Sequence, residues 1–101
     1  VSMGGSMGIG NTSPMAEWNI EIDPEAAAAV YGAGIPFVQV PLNVTHTALV
    51  TNEVIDRIAA MKTPFADLVA DLLMFFSETY KTVFDFDFPP LHDPLAVAYV
   101  I

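Results

Sequence analysis

The sequence predicts an α/β layer protein with a mostly parallel sheet, on three observations. Short apolar runs alternate with stretches of helical periodicity. A capping residue followed by proline recurs at Asp23-Pro24, Thr63-Pro64 and Asp93-Pro94, each a helix start. Between Pro36 and Pro41, the unbroken run Phe37-Val38-Gln39-Val40 fits a buried strand.

Residues 1–15 read as the end of a strand followed by a loop rich in glycine (Gly4, Gly5, Gly8, Gly10). Asp23 caps a helix that runs through Ala26 to Tyr31 and stops at Gly32 or Gly34. Glu25 favours the positive end of that helix. After the strand at 37–40, His46 follows Val44-Thr45 and reads as a structural histidine just after a strand. The other reading makes it a contact at a pocket. Thr51 opens a helix over Asn52 to Met61, with Val54, Ile55 and Ile58 on one face. Thr63-Pro64 opens the longest helix, 64–84, about 30 Å in length. Its apolar positions Phe65, Leu68, Val69, Leu72, Leu73, Phe76, Tyr80 and Val83 follow the spacing of a face laid on a core. Asp85 and Asp87 fall in a loop, and Asp93-Pro94 starts a last short helix.

The 101 residues read as a single segment of one domain, with no repeat and no linker. Hydrophobic residues make up 53% of the chain, above the usual globular share. A short chain buries a smaller fraction of its surface than a long one. Together with the start at Val1 and the apolar end Ala98–Ile101, this predicts a piece of a larger core. The formal net charge is -9, and the 3 cations are Arg57, Lys62 and Lys81. Phosphate backbones and anionic membranes call for clustered Lys and Arg, so neither nucleic acid nor membrane is an expected partner. With 0 cysteines, disulfides and thiolate metal sites are excluded. The N-terminus lacks the basic region and apolar run of a signal peptide. The most apolar stretch, Phe65–Phe76, is too short and too charged to span a membrane. A cytoplasmic location is the expectation.

Polar residues concentrate in two places. In Gly10–Asn19, the amides Asn11 and Asn19 and the carboxylate Glu17 flank Trp18, in a loop after a strand. Ligands of open α/β sheets bind beyond the strand ends, and these groups suit sugar hydroxyls. The simpler reading is that Asn11 and Asn19 make turns. In Pro89–Pro94, His92 beside Asp93 suits an acid/base next to a metal ligand. The simpler reading makes Asp93 an N-cap and His92 a loop residue.

Together these segments resemble the inosine-uridine preferring nucleoside hydrolase family. The residues that carry the resemblance are Met3-Gly4-Gly5, Gly10-Asn11, Pro14, Ala16-Glu17-Trp18-Asn19 and Asp23-Pro24-Glu25-Ala26-Ala27. Pro41-Leu42-Asn43-Val44-Thr45-His46, Thr63-Pro64-Phe65-Ala66 and Pro90-Leu91-His92-Asp93-Pro94 complete it, in family order along nearly the whole chain. The resemblance implies part of a Rossmann-like nucleoside hydrolase fold. It implies hydrolysis of the N-glycosidic bond of purine or pyrimidine ribonucleosides to free base and ribose, in nucleoside salvage. It also implies a calcium ion that binds ribose hydroxyls and a water, and it leaves a homo-oligomer of the whole enzyme open. Carried over, His92 is the acid that helps the base leave, and Asp93 is a calcium ligand and ribose contact. Asn11, Glu17 and Asn19 hydrogen-bond the ribose hydroxyls, Met3 lines the sugar pocket and Trp18 forms an aromatic wall. Trp18 stands where phenylalanine is common in the family, and Asn43 where aspartate is frequent, the latter expected to affect only loop structure. The family's aspartate-rich motif, source of most calcium ligands and the general base, is not in the sequence. The alternatives are a non-catalytic ribose-binding or structural module that keeps the fold, and an unrelated α/β interaction domain.

Overall fold

The computed structural model describes residues 1–101, which form two compact units. The first comprises residues 1–48 and 92–101, the second residues 49–91.

In the first unit, β1 (Ser2–Met3) pairs in parallel with β2 (Gln39–Val40), Ser2 opposite Gln39 and Met3 opposite Val40. The expected strand at 37–40 is therefore shorter, and of its residues only Val40 is buried. Its neighbour offers just two residues for pairing, and Pro41 has no N–H to extend the ladder. The sheet is small, parallel and two-stranded. Helix α2 (Pro24–Tyr31) starts and stops as the sequence predicts: Asp23 Oδ1 accepts from Ala26 N at 2.9 Å, and Gly32 is the C-cap.

Two short helices were not expected. Helix α1 (Trp18–Ile22) takes Asn19 out of the loop assigned to it, and Glu17 supplies the N-cap. Helix α3 (Leu42–Thr45) follows Pro41, whose carbonyl accepts from Val44 N and Thr45 N at 3.0 Å each. His46 is thus a helix C-cap and does not follow a strand. Helix α6 (Asp93–Ala98) begins one residue off expectation, with His92 at the N-cap position and Asp93 in the first turn. No side chain caps this helix, so the simple capping role for Asp93 falls away.

The second unit pairs α4 (Asn52–Ala59) with α5 (Pro64–Phe84). Helix α4 ends before Met61, because Lys62 takes a left-handed backbone (φ 51°) that no helix continues. Helix α5 has its predicted bounds, with Thr63 Oγ1 accepting from Ala66 N at 3.1 Å. The buried face of α5 matches the expected one in part: Tyr80 is buried and Val69, Leu73 and Phe76 are half-buried, but the rest of the face is shifted. Ala66, Ala70 and Tyr80 are buried, whereas Phe65 and Leu72 are 74% and 57% exposed. Val50, Ile55 and Ala70 form the core, with Val54, Ile58, Leu73 and Leu91 against it. Small residues let two helices approach closely, and α5 has more apolar positions than one partner helix covers. No helix is long and apolar enough to cross a membrane.

Candidate active site

Glu17 organises the first unit. It is 3% exposed, and its carboxylate accepts three backbone N–H groups: Gly5 at 2.7 Å, Asn19 at 3.0 Å and Ile20 at 3.4 Å. The first bond ties the β1 loop to α1, and the other two cap α1. Gly5 reaches Glu17 through a left-handed backbone (φ 73°), and a Cβ there would meet the Gln39 amide. A carboxylate has about four lone-pair positions. Three are taken by the backbone.

The other residues of this segment are held in graded ways. Asn11 Oδ1 accepts from Trp18 N at 2.9 Å, so Asn11 spans the loop as a turn residue, its amide N–H₂ being a further donor group. Asn19 is exposed and directs Nδ2 to Met3 Sδ at 3.2 Å. Both line a cavity of about 190 Å³ at the end of β1. Glu17 lines a second cavity of about 460 Å³ with Gly5 and Gln39. The Trp18 ring is 56% exposed. Asn43, in α3, accepts at Oδ1 from Met7 N at 3.1 Å, which ties α3 to the loop after β1.

His92 is half-buried. Its Nδ1 lies 2.8 Å from the Thr45 hydroxyl, which also reaches the Leu42 carbonyl at 3.2 Å. The His46 ring stands edge-on, 5.8 Å away at 62°. Burial pushes the His92 imidazole below the ordinary histidine value, and the neighbouring His46 pushes the same way. The Asp93 and Glu17 carboxylates pull it back up. Of the Asn11–Asn19 segment, Glu17 is the residue whose charge acts on His92. A lowered value makes the charged ring a stronger proton donor but a scarcer species, and the two carboxylates oppose that loss.

Thr45 and His46 were not among the predicted site residues, although both lie in the Pro41–His46 motif. Their only signal was that motif: Thr45 looked like strand, and nothing local points it at a residue 47 positions away.

Asp93 is exposed and offers carboxylate oxygens, the donors a hard cation prefers. No group of three or more His, Asp or Glu side chains stands together to hold a metal. Calcium takes about 6–8 oxygens, so the donor type fits and the number these residues supply does not.

The inosine-uridine preferring nucleoside hydrolase model matches residues 1–101, and the chain belongs to that family. It is 49% identical to a probable ribonucleoside hydrolase of Dictyostelium discoideum, over 98% of this chain and 31% of that protein. It is 46% identical to the pyrimidine-specific ribonucleoside hydrolase RihA of Enterobacter sp. (strain 638), over 100% of this chain and 33% of that protein. The RihA of Shewanella woodyi is 48% identical over the same shares. The chain spans about a third of the length of these relatives.

Proposed function

We propose that this chain serves within a larger, calcium-dependent enzyme of Rossmann-like fold that hydrolyses purine or pyrimidine ribonucleosides to base and ribose. The observation that carries the reading is the convergence on His92: Thr45 against its ring, with the charges of Asp93 and Glu17 felt there. The relatives' names support the hydrolase reading over a non-catalytic module.

In this reading, Glu17, Asn11 and Asn19 bind the ribose hydroxyls. Glu17 uses its one remaining acceptor position, and its negative charge favours the oxocarbenium-like centre that develops at C1′. Met3 lines the sugar side and Trp18 walls it. As the C1′–N bond breaks, its electron pair goes to the base, and His92 gives that base a proton. A water adds its oxygen at C1′ and releases a proton, which replaces the one His92 gave to the base. Calcium, when bound with Asp93 among its ligands, would orient ribose hydroxyls and acidify the water.

The test is His92→Ala in the full-length protein that carries this sequence. Turnover of inosine should fall by about 10²–10⁴-fold, the usual contribution of a positioned acid. p-Nitrophenyl riboside, whose leaving group departs without protonation, should lose far less. Equal losses on the two substrates would remove the acid role.

A further inference from the structure

We propose that Thr45 is the positioning residue of His92: its hydroxyl holds Nδ1 in the protonated form, so that proton transfer to the leaving base occurs at Nε2. The inference builds on the acid reading of His92.

The Thr45 hydroxyl has one hydrogen and two contacts, the Leu42 carbonyl at 3.2 Å and His92 Nδ1 at 2.8 Å. A carbonyl oxygen only accepts, whereas an imidazole nitrogen donates or accepts according to its tautomer. Both contacts of the hydroxyl are satisfied together in one arrangement: it donates to the second lone pair of the Leu42 carbonyl, whose first takes the His46 N–H at 2.8 Å, and accepts from Nδ1–H. The back-bond to a carbonyl of the preceding turn is a regular habit of helical threonine. Thr45 is 0% exposed, so water does not stand in for either partner.

The support is stiff as well as dry. Thr45 N and Val44 N bond the Pro41 carbonyl, and Leu42 N donates to Gly5 O at 2.9 Å. Leu42 is 1% exposed. The hydroxyl therefore sits on a helical turn tied to the same β1 loop that Glu17 holds. As an acceptor, Thr45 bonds Nδ1–H in the same geometry whether the ring is charged or is the neutral Nδ1–H tautomer. When the charged ring releases its Nε2 proton, the product is the Nδ1–H tautomer already bonded to Thr45, and nothing need rotate. That is the preorganisation acid catalysis requires.

The experiment is ¹⁵N NMR of the histidine-labelled full-length protein at a pH where the ring is neutral. The His92 signals are assigned by their loss in His92→Gln. Expected is the Nδ1–H tautomer in the wild type and in Thr45→Ser, and a shift toward Nε2–H in Thr45→Val. Turnover of inosine should drop about tenfold in Thr45→Val, the worth of one well-placed hydrogen bond, and recover in Thr45→Ser. A wild-type ring in the Nε2–H form would overturn the proposal. So would a tautomer unchanged in a folded Thr45→Val; should that variant not fold, the wild-type and Thr45→Ser spectra decide alone. The acid reading fails separately, through the two-substrate comparison on His92→Ala, and leaves the tautomer result standing.

Discussion

Replacing Glu17 with glutamine tests how this site is built. The two side chains have nearly the same shape, so the change subtracts a charge and an acceptor while adding two N–H donors. In the native chain, Oε2 accepts from Gly5 N at 2.7 Å and Ile20 N at 3.4 Å, and Oε1 accepts from Asn19 N at 3.0 Å. Glutamine has one acceptor oxygen. Whichever way the amide turns, it sets N–H₂ against either the Gly5 amide or the Asn19 amide. The better arrangement keeps the short Gly5 bond and orphans Asn19 N at the first turn of α1. An unpaired buried donor costs about 1–3 kcal/mol, and because Asn19 is exposed while Glu17 is 3% exposed, the lower end of that range applies. Lost attraction between the carboxylate and the positive end of α1 adds about 0.3–1 kcal/mol. At about 4–8 °C per kcal/mol for a chain of this size, Tm should fall by at least 5 °C or so. Thermal unfolding of the 101-residue chain in dilute solution, followed by circular dichroism, reads this directly. A melting point within roughly a degree of wild type, well inside that scale, would show that the carboxylate does not hold the β1 loop to α1.

Gly10→Ala should be strongly destabilising, because a Cβ at Gly10 would collide with the Ala16 carbonyl; a melting curve unchanged from wild type would refute the loop geometry. Thr63→Ala removes the cap on Ala66 N and should cost about 1 kcal/mol, read as a lower urea midpoint. Burial lowers the pKa of His46, so the folded state binds fewer protons there than the unfolded chain. Stability from this group is present above the unfolded value of about 6.5 and is lost as pH falls through the folded value. Unfolding curves of wild type and His46→Gln should therefore diverge with acidification, and parallel pH profiles would contradict this. Calorimetric titration of the 101-residue chain with calcium should show no tight binding, since one exposed carboxylate replaces little of an ion's water shell. Micromolar affinity would mean that other oxygens of this chain join Asp93.

What the sequence determined by itself is local chemistry. The bounds of α2 and α5 follow from Asp23-Pro24 and Thr63-Pro64, because a cap and its proline act within one turn. The family resemblance was legible for the same reason: its motifs are short strings at fixed spacing. Tertiary structure decided everything that needs two distant segments. Helix α5 has apolar residues around much of its circumference, so periodicity could not say that Ala66 and Ala70, rather than Phe65 and Leu72, would be covered. Glutamate is not a usual N-cap residue, and Glu17 becomes one only because the Gly5 amide draws its carboxylate into the interior. Thr45 lies 47 positions from His92, and no local rule relates a helical threonine to a histidine at that separation. Their meeting is a property of the packed chain, since side chains remote in sequence acquire defined distances only when the elements that carry them are fixed.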